Sequence, residues 1–143
     1  MNNSFYILDY IPHCYPYRFI DSISEISKSH VIGKCFLSSE SFFYKGHFPQ
    51  SPITPGYIIT EIMAQIGVLA LGIYLNKENI QKINAAFLTS TNVKFFNISY
   101  PNDTITVKSK LIYYKLNTIK CKIEAYNQHE LLLCKGVLTG KIK

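Results

Sequence analysis

The chain is 143 residues long, one domain's worth, and at that length folding buries ~68–70% of the surface an unfolded chain exposes. Its composition, 48% hydrophobic and 17% charged with 11 Tyr and 9 Phe, excludes an intrinsically disordered chain. The formal charge of +6 suits an acidic partner, but Arg18 is the single arginine among 15 Lys+Arg, so the fork that reads bases and phosphates bidentately is scarce and nucleic acid is disfavoured.

Residues 1–5, Met-Asn-Asn-Ser-Phe, carry neither a basic region nor a long apolar run; no secretory signal is read, and a cytoplasmic protein is expected. Arg18 to Ser27 and Val31 to Leu37 predict a hairpin, and Ser38 or Ser39 is placed to cap a short turn over 40–43. Tyr57 to Leu75 is almost wholly apolar and, as a helix, reaches nearly ~30 Å, enough to cross a membrane. Glu61 and Gln65 decide against that. Four residues apart, they share one helix face, and a charge there costs ~2.5–3.5 kcal/mol in lipid with no basic residue in the segment to offset it. A buried core helix is predicted, starting at Pro55-Gly56 and ending near Asn76.

Downstream, Ala86 to Asn97, Thr104 to Tyr114, Thr118 to Tyr126 and Leu131 to Gly140 read as strands of a meander, with turns at 100–103, 116–118 and 127–130. The third alternates cleanly, with Ile119, Cys121, Ile123 and Ala125 on one face and Lys120, Lys122 and Glu124 on the other. Residues 1–143 therefore form one α+β domain, an antiparallel sheet curled around a single long helix, since each needs the other to hide its apolar surface. Cys14, Cys35, Cys121 and Cys134 show no Cys-x-x-Cys pair and no ligand spacing with His, so no metal site is predicted and buried reduced thiols are expected.

The chemistry concentrates between Phe42 and Gly67. Gly46-His47-Phe48-Pro49 and Pro52-Ile53-Thr54-Pro55-Gly56 make a stiff, bent loop that holds the His47 backbone in place. A neutral imidazole, with an ordinary pKa of ~6.5, is a competent general base. Glu61 lies in the second turn of the helix that follows, where burial favours a protonated carboxyl able to act as an acid. Free N–H groups at the helix start suit a developing oxyanion. Elimination of water β to a thioester carbonyl needs this set. Read without its neighbours, His47 is equally a loop-capping residue, and Glu61 a hydrogen-bonded structural carboxylate.

These segments resemble the hotdog-fold 3-hydroxyacyl-[acyl-carrier-protein] dehydratases. Ile11-Pro12-His13-Cys14-Tyr15-Pro16 and Phe19-Ile20-Asp21 stand where that family has its first motif. The Gly-His-Phe-Pro, Pro-x-x-Pro-Gly and Glu-x-x-Ala-Gln elements follow at 46–49, 52–56 and 61–65, and the joint spacing is specific. The resemblance implies that His47 takes the C2 proton and Glu61 protonates the departing 3-hydroxyl. It implies also that the Phe48 and Gly56 N–H groups bind the thioester oxygen and that Gln65 orients Glu61. Glu rather than Asp at 61 implies plain dehydration, without isomerisation of the double bond. No metal or organic cofactor is implied, because acid and base are both side chains.

Gln50, Cys14 and Ser22 depart from the family pattern, and so does Tyr57, whose bulk is expected to narrow an acyl tunnel. They leave open fatty acid synthesis against a polyene or polyketide route. His13 and Tyr15 are read as structural, and His30 and His129 as turn or surface residues. The implied partners are an acyl carrier protein, docked on lysines such as Lys94, Lys108, Lys110, Lys115, Lys120 and Lys122, and a second copy or a related dehydratase chain. The dimer implied by resemblance sets His47 of one chain against Glu61 of the other. The other readings are a hotdog thioesterase, which needs no loop histidine, and a non-catalytic acyl-binding subunit, for which an intact His/Glu pair has no use.

Overall fold

A computed structural model describes residues 5–143. In chain order it contains helix α1 (Phe5–Asp9), strands β1 (Ser22–Ile26) and β2 (His30–Phe36), and helix α2 (Gly56–Leu75). A 3-10 turn (Lys77–Lys82) then leads to β3 (Ala86–Phe95), β4 (Thr104–Lys115), β5 (Thr118–Tyr126) and β6 (Leu132–Ile142). Pro55, with φ fixed near −58°, precedes the first helical residue Gly56, and the helix runs out at Asn76. Both limits agree with the sequence reading.

Helix α2 passes the length and hydropathy test for a membrane span, yet 78% of its most apolar window is buried inside the fold. Ile62, Met63, Ile66, Leu71 and Ile73 are fully enclosed, against Ile105 and Val107 of β4, Ile119 and Ile123 of β5 and Leu138 of β6. Each such aliphatic side chain contributes ~1.5–3 kcal/mol on burial. The helix lies close to β5, because a Cβ on Gly67 would stand 2.6 Å from Ile123 Cδ1. Ser109 of β4 donates 2.9 Å to the Gly67 carbonyl, within the Ala64–Ala70 stretch where the helix opens to π spacing.

All six strands join one antiparallel sheet in the order β1-β2-β4-β5-β6-β3. The expected meander is corrected here. Strand β3 does not pair with β4; it pairs with β6, from Ala86 opposite Ile142 to Phe95 opposite Cys134, and becomes an edge. Residues 96–103 cross instead of turning back. Three inter-strand steps of ~4.8 Å amount to ~14 Å, well inside their extended reach of ~26 Å. Along the way Ser99 and Asn102 pair with Thr54 and Leu37 through backbone bonds.

The inner face of β5 is as read: Ile119, Cys121, Ile123 and Ala125 are completely buried. Leu116 and Asn117, with φ of 51° and 62°, form the two-residue turn that joins β4 to β5. Ser38 accepts a hydrogen bond from the Glu40 N–H, but consecutive turns follow rather than a helix. Of the cysteines, Cys35, Cys121 and Cys134 are buried, and burial pushes their thiols up to about 12, 11 and 11. Cys14 departs from expectation and is exposed, because it sits on the outer side of the loop that follows α1.

Candidate active site

The His47 loop is held from behind by a buried polar chain. Asp103 accepts at Oδ2 from the Tyr100 N–H (2.9 Å) and from Ser99 Oγ (3.3 Å), and at Oδ1 from Gln128 Nε2 (2.9 Å). Ser99 Oγ in turn accepts from Thr54 Oγ1 (3.0 Å), which leaves the Tyr44 hydroxyl to donate to Thr54 Oγ1 (2.7 Å). A carboxylate can only accept, so every hydroxyl in the chain has one orientation. Sequence reasoning missed this network; its members are ordinary polar residues far apart in sequence.

On that base, His47 Nδ1 lies 3.0 Å from the Ile53 carbonyl, while the Ile53 N–H donates 2.9 Å to the His47 carbonyl. A carbonyl oxygen accepts only, so the neutral ring carries its proton on Nδ1 and presents the Nε2 lone pair. The half-exposed Phe48 ring stacks on the imidazole at 4.4 Å. Among the described residues, the Phe48 and Gly56 N–H groups have no acceptor within the chain. Gly56 opens the helix beneath Phe95, whose ring would lie 3.0 Å from a Cβ added there.

Glu61, four-fifths buried, is fixed by Gln65. The Gln65 amide donates to Glu61 Oε1 (2.8 Å) and to the Tyr17 carbonyl (3.0 Å), and its Oε1 accepts from the Phe19 N–H (2.7 Å). Gln65 is itself fully enclosed, so the three bonds define its rotamer. The Tyr17 hydroxyl is pushed above its ordinary pKa, first by burial and then by the Glu61 charge. A narrow cleft, with a cavity volume of about 60 Å³, leads away from Glu61 along α2 past Ala64, Val68 and Leu69 to Leu88 on β3 and Ile142 on β6.

Within one chain, then, Glu61 and Gln65 meet, while His47 does not join them: no hydrogen bond or ion pair links it to Glu61, and it does not line the cleft. The histidine that does stand at the cleft is His13, read from sequence as structural, with Nε2 3.7 Å from Glu61 Oε1. Its position in the Pro-His segment at 12–13 was the available signal. Within one chain Tyr57 does not line the cleft; it is 90% exposed at the first turn of α2, and Gln50, Ser22 and Tyr15 are exposed too.

A sheet wrapped on a single buried helix is the hotdog fold. One solved structure with it is the dehydratase heterocomplex ApeI:P from Xenorhabdus doucetiae, at TM-score 0.76 and 17% identity over 96% of this chain and 90% of that one. A hypothetical thioesterase from Streptococcus pneumoniae matches at TM-score 0.65 and 16% identity over 85% and 84%. At these identities the likeness is one of fold. A family model described as a FabA-like domain matches residues 11–133, and the chain belongs to that family. Among its relatives, the 3-hydroxyacyl-[acyl-carrier-protein] dehydratase FabZ of Caldicellulosiruptor saccharolyticus is 34% identical over 138 residues, 96% of each chain. The protein of the same name from Acinetobacter baylyi is 31% identical over 95% of this chain and 84% of its own.

Proposed function

We propose that the chain removes water from a (3R)-3-hydroxyacyl thioester borne on an acyl carrier protein and forms the trans-2-enoyl thioester, in fatty acid synthesis or a related polyene or polyketide route. The observation that carries this reading is the complementary preparation of two side chains: His47 with Nε2 bare, and Glu61 with Oε1 engaged by Gln65 and Oε2 free of partners in the chain. His47 Nε2 takes the C2 proton, the released electron pair forms the C2–C3 double bond, and the C3–O bond breaks as Glu61 delivers a proton to the hydroxyl, so that water leaves. The Phe48 and Gly56 N–H groups hold the thioester oxygen as charge builds on it, with the α2 N-terminus adding its dipole. Proton return from His47 to Glu61 resets the site, and no cofactor enters the balance.

The absence of His47 from the cleft that holds Glu61 supports a site shared by two chains. Edge strand β3 carries the half-exposed Phe87 and Phe95, continued by Phe96 and Ile98, an apolar edge suited to pairing with a second copy or a related chain. His47 then faces Glu61 of the partner subunit, and two-fold symmetry gives two sites. Such an enzyme works where its carrier protein is, in the cytoplasm. Incubation with a panel of 3-hydroxyacyl carrier-protein thioesters, followed by intact mass, tests the reading. Loss of one water with the thioester intact supports it; release of the free acid would identify a thioesterase, and an unchanged thioester a non-catalytic subunit.

The carrier protein is the expected origin of the charge requirement. On the outer sheet face Lys110 lies directly opposite Lys122, a like-charge pairing that an approaching anion relieves, and Lys94 lies opposite Lys135, which has Glu124 on its other side. Among the described residues no carboxylate lies within ion-pair distance of these lysines. Affinity for an acidic carrier protein should therefore fall as salt rises through ~0.1 M, where screening sets in at ~10 Å. Lys122→Glu should slow association more than it speeds dissociation, and a small acyl-thioester mimic should show no salt dependence. Salt-independent carrier binding in a stopped-flow titration would remove the lysine face from docking.

A further inference from the structure

His13 is a half-satisfied residue in an otherwise satisfied interior. Its Nδ1 is buried and is the one buried side-chain nitrogen or oxygen without a hydrogen-bond partner among the described residues. Its side chain is 23% exposed, and its other nitrogen, Nε2, points at Glu61 Oε1 from 3.7 Å. An imidazole kept only for packing would be better replaced by an apolar ring, since a buried polar atom without a partner opposes folding. The contact that remains to explain it is with Glu61. That contact reaches the same oxygen to which Gln65 donates at 2.8 Å, while Glu61 Oε2 has no partner in the chain and is not buried.

We infer that His13 is a positioning residue: with Gln65 it holds Oε1 of Glu61 from one side, so that the proton given to the substrate resides on Oε2. The inference rests on the dehydratase reading and names a further residue for it. The two donors differ in what they sense. Gln65, bonded at 2.8 Å, orients the carboxyl at all times. His13, at 3.7 Å, stands just beyond hydrogen-bond length, and closes on Oε1 as Glu61 gives up its proton to the substrate and becomes an anion. An interaction that strengthens as the proton leaves stabilises the transition state more than the bound substrate, so its loss falls on kcat and leaves KM nearly unchanged. With Nε2 facing a carboxyl oxygen, the ring proton belongs on Nε2, the opposite tautomer to that of His47.

Two measurements decide it. Imidazole 15N shifts of the wild-type protein, assigned through His13→Gln, report the ring proton without any turnover. A protonated His13 Nε2 is expected, and a bare Nε2 facing Glu61 overturns the inference. The second compares kinetics of His13→Gln, whose amide nitrogen reaches the place of Nε2, with His13→Asn, whose amide reaches only that of Nδ1, and with His13→Phe, each checked for folding by circular dichroism. A lost hydrogen bond to a developing charge converts to ~10- to 100-fold, so Asn and Phe should lower kcat by that factor with KM little changed, while Gln restores most of it. Equal rates for Gln and Asn, or a wild-type rate in Phe, overturn the role. Wild-type protein that dehydrates no thioester defeats the functional reading, and the 15N arm still decides whether His13 donates to Glu61.

Discussion

Glu61→Gln should lower turnover by about 10²–10⁴-fold while the acyl thioester still binds. The amide is close to isosteric, and its oxygen can keep the 2.8 Å bond from Gln65, so neither the cleft nor the Gln65 contacts to Tyr17 and Phe19 need change. What is lost is an ionisable proton at the place of Oε2. The comparison is kcat from enoyl product formation beside affinity for a non-reactive acyl thioester measured by calorimetry. Normal turnover by the amide variant would mean that another group is the acid, and loss of binding along with turnover would mean that Glu61 shapes the cleft.

His47→Ala should be as damaging, again by about 10²–10⁴-fold, because alanine has no lone pair to take the place of His47 Nε2. The fold should survive. The substitution removes one hydrogen bond, from Nδ1 to the Ile53 carbonyl, a net loss of about 1 kcal/mol. The backbone bond between Ile53 and His47 and the Tyr44–Thr54–Ser99–Asp103 chain all remain. Far-ultraviolet circular dichroism and a melting curve, taken with the rate, separate the two effects. A folded variant with substantial activity removes His47 from the mechanism.

Much of this site was legible in the sequence because its chemistry is local. Glu61 and Gln65 are one helical turn apart, so spacing alone brings them together, and the prolines around His47 announce a fixed loop. The inner face of β5 was equally plain, since an alternating pattern has only one way to be buried. Three features were hidden. The pairing of β3 with β6 depends on a crossing by residues 96–103 that looks in sequence like an ordinary turn. The Asp103 chain joins residues up to 59 positions apart through single hydroxyls, which carry no periodicity. His13 reaches Glu61 across 48 positions, a contact set by how the loop after α1 lies on α2 rather than by any local pattern.

The central claim is that a working site takes His47 from one chain and Glu61 from another. Mixing unfolded His47→Ala and Glu61→Gln chains and refolding them together tests it directly. Random pairing makes about half the dimers mixed, and in a mixed dimer one site carries both substitutions and the other neither, so activity should return to about a quarter of wild type. If both residues served from the same chain, every site would keep one lesion whatever its partner, and the refolded mixture would be as inactive as either parent.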